Sequence, residues 1–219
     1  MSDLSSAYTA ERAAPRAIST TQLLGQVLFL VAIALGFCAL GTLVGRDLAI
    51  GTARVLSFVG LGMLLVSSFA GARFRVGPFA MAWLFATALV IGLGLGPVIA
   101  YYSAADGPAV TQAFAGTAAT VLGAGSLGLL LSKDLARWMR PLSLIVFVAC
   151  AGTIILTLFA GTVSPAVSLI IYALSTALIV VDFNYLRKHA TEADTIWLAT
   201  GIFVSIVNIF LSLLNVFSR

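Results

Sequence analysis

The sequence predicts an all-α integral membrane protein, a bundle of seven transmembrane helices, and three observations carry that prediction. Hydrophobic residues make up 61% of the chain and charged residues only 9%, against about 25% charged in a soluble domain. Mean hydropathy is +1.11, so the bilayer is the solvent for most side chains. The apolar residues also gather into seven runs, each near the ~20 residues that cross a hydrocarbon core. Nothing the size of a soluble domain is left over.

Residues 1–21 read as a polar cytoplasmic tail, because they lack the apolar core and small-residue cleavage site of a signal peptide. Residues 22–219 then form one transmembrane domain with spans expected at 22–45, 53–72, 77–102, 109–131, 141–161, 165–186 and 195–217. The first span carries Gly41 and Gly45 and closes at Arg46-Asp47. The second closes at Arg73-Phe74-Arg75. The third holds Gly92 and Gly96 in GLGLGP and ends at Asp106-Gly107-Pro108. Both glycine pairs have the GxxxG spacing that lets membrane helices approach backbone to backbone. GLGLG follows no strand, so it is not a nucleotide loop. The fourth span ends at Ser132-Lys133-Asp134, and Leu135, Trp138 and Met139, with Arg137 and Arg140, are expected to form an interfacial turn before Pro141 opens the fifth. Ser164 before Pro165 is an N-cap followed by proline at the first helical position, where its missing N–H costs nothing. The sixth span closes over Arg187 to Asp194, and the seventh runs almost to the C-terminus.

Basic residues set the orientation. The tail and the second, fourth and sixth breaks hold Arg12, Arg16, Arg73, Arg75, Lys133, Arg137, Arg140, Arg187 and Lys188, nine in all. The other side holds three, Arg46, Arg54 and Arg219. The positive-inside rule places the N-terminus in the cytoplasm and the C-terminus outside. Because these charges are dispersed over the breaks, the pI of 9.4 carries no nucleic-acid signal.

Enzymatic chemistry is not expected, and neither is a cofactor. The single histidine, His189, lies in the sixth break, so no Ser–His couple or His-based metal site falls inside the membrane. Lys133 and Lys188 are also in breaks. Cys38 and Cys150 sit inside apolar runs and read as buried structural thiols.

Asp182 is the informative residue. It is the one ionisable side chain within a long apolar stretch, SLIIYALSTALIVVDFNYLRK. A carboxylate in hydrocarbon costs roughly 2.5–3.5 kcal/mol on insertion scales. It therefore points to function with a partner, or else to a carboxylate snorkelling at the helix end near Arg187. Arg73, at the cytoplasmic end of the second span, is the expected partner, with Arg75 as its substitute. In the last span Gly201, Ser205, Asn208, Ser212 and Asn215 recur at spacings of 4, 3, 4 and 3 and share one face, opposite Ile202, Phe203, Ile206, Ile209, Phe210, Leu213 and Leu214. A polar stripe of this kind faces protein or water, as helix–helix adhesive or as a solvated path. At 1.5 Å per residue Asp182 lies ~9 Å, and Ser205 ~15 Å, from the cytoplasmic ends of their helices.

Three segments resemble the Bax inhibitor family of membrane proteins, and bacterial members in particular. GLGLGPVIAYYSAADGPAVTQAFAGTAATVLGAGSLGLLLSKDL is similar to the family's glycine-rich third helix, alanine- and threonine-rich fourth helix and following lysine–aspartate step. ALIVVDFNYLRK is similar to its aspartate-centred sixth helix, and VSIVNIFLSLLNVF to its closing segment. The resemblance implies a seven-helix bundle with a central last helix in a bacterial inner (plasma) membrane. It also implies pH-sensitive leak of calcium or other cations and, in animals, resistance to cell death. The family's pH sensor is a pair of aspartates latched to a basic residue at the end of the second helix. Asp182 matches the first aspartate, Asn208 the family's asparagine and Arg73 the basic residue. Ser205 stands where the second aspartate would be, so the like-charge coupling of a carboxylate pair is absent. A single carboxylate also supplies few of the 6–8 oxygens that calcium takes. Two functional readings follow, a proton-gated cation leak, or a non-transporting partner that docks on a membrane protease or another membrane complex.

Overall fold

Apolar runs in a bilayer must satisfy every backbone polar group internally, and the helix does so within a single segment. The computed structural model describes residues 19–69, 71–160 and 164–218. It consists of seven long helices, α1 (Thr20–Gly45), α2 (Ile50–Phe69), α3 (Pro78–Ala105), α4 (Gly107–Leu130), α5 (Ala136–Ala160), α6 (Pro165–Lys188) and α7 (Thr195–Phe217). Short 3-10 turns at Ala72–Phe74 and Glu192–Asp194 join α2 to α3 and α6 to α7. Among the described residues there is no strand. Six helices are long and apolar enough to cross a membrane; the other, α5, opens on Arg137 and Arg140. Most of the expected tail, with Arg12 and Arg16, lies outside the described residues, as does Arg219.

Helix ends follow the punctuation of the sequence. Ser19 and Gln22 form a reciprocal capping box on α1. Asp106 accepts from the Ala109 N–H at 3.1 Å and so caps α4. Ser164 is the N-cap of α6, with Pro165 in the first turn. One expected boundary is corrected. The segment from Ala136 to Arg140 is no separate interfacial turn, because α5 runs through Pro141 without a break. Pro141 is the sixth residue of α5, so its missing N–H removes one backbone bond, that to the Arg137 carbonyl.

The glycines dictate the closest packing. A Cβ on Gly41 would collide with the Leu89 carbonyl, one on Gly92 with that of Cys38, and one on Gly96 with the backbone of Gly45. Thus α1 and α3 meet backbone against backbone through both GxxxG pairs, and Phe37 stacks on Phe85 beside them. Trp83 of α3 donates its indole N–H to Ser67 Oγ of α2 at 2.9 Å. Helix α7 packs against α1, α4 and α6. In its apolar window 61% of residues are buried, against 11% to 44% for the other membrane-length helices.

Candidate functional site

Helix α6 delivers Asp182 to the α6–α7 interface, where it is 3% exposed. Among the described residues the carboxyl Oδ2 has no hydrogen-bond partner. It lies so close to α7 that a Cβ on Gly201 would stand 3.4 Å from it. A small residue at 201 therefore faces the carboxyl across the interface.

A second contact fixes the register of this antiparallel pair. Asn215 Nδ2 donates to Ser168 Oγ at 2.7 Å. Ser168, Ser175 and Asp182 follow one another at intervals of seven on α6, as do Gly201, Asn208 and Asn215 on α7. With Asp182 at Gly201 and Ser168 at Asn215, Ser175 falls opposite Asn208. Ser175 Oγ and the neighbouring Ser205 Oγ are buried and lack a hydrogen-bond partner among the described residues, while the Asn208 side chain meets the Cys150 thiol. The α7 stripe thus lies along α6, with Ser205 and Ser212 fully inside.

The apolar side of α7 is enclosed as well. Ile202, Phe203, Ile209, Phe210, Leu213 and Leu214 are buried. Leu213 reaches Gly116 of α4, and Phe210 meets the Phe114 ring at 4.5 Å. The helix is enclosed on two sides because small residues on α4 make room for its large ones. A third face, with Trp197, Thr200, Val204, Val207 and Leu211, borders a cavity of about 270 Å³ shared with α2, α3 and α5.

The expected ion pair is not formed. Arg73 is exposed, with its guanidinium 4.9 Å from the Phe79 ring centroid. Arg75 donates to the Ser68 carbonyl at 3.1 Å and lies 5.8 Å from the Trp197 ring centroid. Among the described residues the ion pairs are Arg46–Asp47 and His189–Asp134, and neither involves Asp182. Both guanidiniums are engaged instead by aromatic rings, those of Phe79 and Trp197. Of the two, Arg75 is better placed. Its ring partner Trp197 lies one helical turn from Gly201, ~6 Å along α7.

The sequence reading missed Asn184, which is fully buried two residues beyond Asp182. Its Nδ2 reaches the carbonyls of Gly128, Leu131 and Lys133, and its Oδ1 accepts from the Leu135 N–H at 2.9 Å. Arg187 donates to the Leu131 carbonyl at 2.5 Å, and Lys188 donates to that of Ser132. His189 meets Asp134 at 2.7 Å. The last carbonyls of any helix lack intrahelical partners, and here the end of α6 supplies them to α4. Gly128 makes this possible, since a Cβ there would collide with the Val180 carbonyl. Asp134 is held below its ordinary range, first by the Ala136 N–H and then by His189. An asparagine inside the apolar run was the available signal, because a buried amide must find partners.

These helices define a multi-pass helical membrane protein with an acidic residue enclosed between its last two helices. The sequence pattern of the family described as inhibitor of apoptosis-promoting Bax1 matches residues 20–219, and the chain belongs to this Bax inhibitor family. No individual curated protein matches it.

Proposed function

We propose that the protein is a pH-responsive cation leak pathway in a seven-span bundle, with α7 central and Asp182 as the gating group. The observation that carries this reading is the carboxyl of Asp182, enclosed against Gly201 with Oδ2 unpartnered. An ionised carboxylate left unpaired at such a site is strongly destabilising, so the arrangement suits the neutral acid. Ionisation demands a positive partner. Arg75, whose ring partner Trp197 lies one helical turn from Gly201, is one basic side chain at this end, and Arg73 is the one the family resemblance favours. In this reading α2 and the turn after it are drawn toward α6 at high pH and released as Asp182 takes up a proton. The buried side chains of Ser175, Ser205 and Asn208 continue the polar line from Asp182 along α6 and α7. With the nine-to-three basic asymmetry, the N-terminus lies in the cytoplasm and the Asp182 end of α6 faces it.

The test is cation flux, calcium included, from purified protein in liposomes across pH 5–8. Flux in the wild type should rise as pH falls, and Asp182→Asn should abolish that dependence. Flux in Asp182→Asn that follows pH as the wild type does would remove Asp182 from the mechanism. A wild type without flux at any pH would overturn the leak reading in favour of a docking role on other membrane proteins.

A further inference from the structure

The cavity beside α7 has walls of an unusual kind. It is lined by Leu61 and Leu64 of α2, Ile91 of α3, Val146 and Phe147 of α5 and Val204 of α7, among others. Hydroxyl groups also line it, yet each directs its proton to the carbonyl four residues earlier on its own helix. Ser57 donates to Ala53, Ser67 to Met63, Ser68 to Leu64, Ser143 to Met139 and Thr200 to Ile196, at 2.7–3.0 Å. Those donors are consumed within the helices, and what the walls offer an occupant is chiefly hydrocarbon.

The shape is long and narrow. Trp197 and Leu211, both on the wall, are fourteen residues apart on α7, which is ~21 Å along the helix axis. One leaflet of the hydrocarbon core is about half of the ~30 Å total. The volume of about 270 Å³ lies below the usual range for compact small-molecule sites. A single extended chain fits these dimensions better than a rounded ligand.

One end of the cavity carries positive charge. Ser68, Phe74 and Trp197 line it there, and Arg75 sits across Ser68 and Trp197. Arg75 has donors beyond the one given to Ser68, and no carboxylate pairs with it or with Arg73 among the described residues. Both side chains are exposed. A guanidinium at the mouth of an apolar slot in a bilayer complements a phosphate that has a hydrocarbon chain attached.

We infer that this cavity is a binding site for an anionic phospholipid, with one acyl chain between α2, α5 and α7 and its phosphate at Arg75. The site shares Arg75 and Gly201 with the gating reading of Asp182, but its occupancy is read by labelling, whatever the flux shows. Bound lipid would lie between α2 and α5 and reach Gly201 and Asn208 of α7 and Leu178 of α6, since all three border the cavity.

The experiment uses the full chain in nanodiscs, with phosphatidylglycerol carrying a photoreactive diazirine in one acyl chain. The same chain on phosphatidylcholine and as free fatty acid provides the comparison. Adducts should map to cavity residues such as Leu61, Val146 and Val204, and Val204→Trp should reduce them while the melting temperature is retained. Arg75→Gln, at an exposed position, should lower phosphatidylglycerol labelling about fivefold, the effect of one basic residue beside anionic lipid, and leave phosphatidylcholine labelling unchanged. Adducts spread over outward residues such as Leu43 and Leu122, insensitive to Val204→Trp, would overturn the site. Equal labelling by all three probes, insensitive to Arg75→Gln, would overturn the phosphate assignment and with it the phospholipid as occupant.

Discussion

Asp182 and Gly201 are partners across the α6–α7 interface, the carboxyl of one resting on the bare Cα of the other. A methyl group at 201 would stand at ordinary van der Waals distance from Oδ2, so Gly201→Ala should fold normally. Gly201→Leu should not, because its branched side chain needs the volume the carboxyl occupies. Thermal melting of the two purified variants checks this. A Gly201→Leu protein as stable as wild type would show that the helices do not meet here.

The glycine seam between α1 and α3 gives a sharper contrast. Gly92→Ala forces a methyl into the Cys38 carbonyl, whereas Gly36→Ala meets nothing within 4 Å. Overpacking of this kind costs about 1–3 kcal/mol. Gly92→Ala should therefore lose stability by that amount and Gly36→Ala should lose none, as read by denaturation in mild detergent.

Leu213 is 8% exposed and touches α4, while Val204 of the same helix borders open volume. Leu213→Ala should cost about 2–5 kcal/mol, as large-to-small changes in packed interiors do. Val204→Ala should cost much less. Equal losses would mean that the two faces of α7 are packed alike.

Asn184 is the principal fastening between α6 and the α4–α5 break. Asn184→Ala leaves a backbone N–H and several carbonyls without their partner, a loss of about 1–3 kcal/mol. Residues 131–135 should then become accessible to protease in the otherwise folded protein. Unchanged cleavage would show that Arg187 and Lys188 suffice.

Asp134 makes this fastening acid-sensitive. Its folded-state pKa is depressed, so its contribution is complete above the ordinary carboxylate value. That contribution declines as pH drops below the ordinary value and is gone once pH has fallen through the lowered one. Asp134→Asn should flatten the acid limb of a melting-temperature profile and leave the neutral limb in place. An acid limb identical to the wild type would assign the sensitivity to another carboxylate.

Much of this architecture was legible in the residues. Ser164-Pro165 marked the start of α6, and the GxxxG pairs marked the close contact of α1 with α3, because both devices depend on local chemistry alone. The α7 stripe at Gly201, Ser205, Asn208, Ser212 and Asn215 was visible as periodicity, and it does lie along α6. What covers its apolar side was not legible, because hydropathy cannot separate lipid from another helix as the neighbour of a leucine. The contacts that Arg73 and Arg75 make in place of an ion pair were not legible for a related reason, because the aromatic rings that engage them come from α3 and α7. Asn184 went unnoticed because its partners are backbone carbonyls, which no residue letter announces.

The matched register of α6 and α7 bears on how the chain enters its membrane. A lone α6 would carry Asp182, Ser175 and Ser168 into hydrocarbon with no neighbour for any of them. Six residues, His189 to Asp194, separate it from α7, whose Gly201, Asn208 and Asn215 arrive in matching order. Biosynthesis is therefore easiest if the two segments leave the translocon together as a preassembled hairpin, with the carboxyl already covered. A ribosome stalled before α7 has emerged would hold an α6 that prefers the translocon to the lipid.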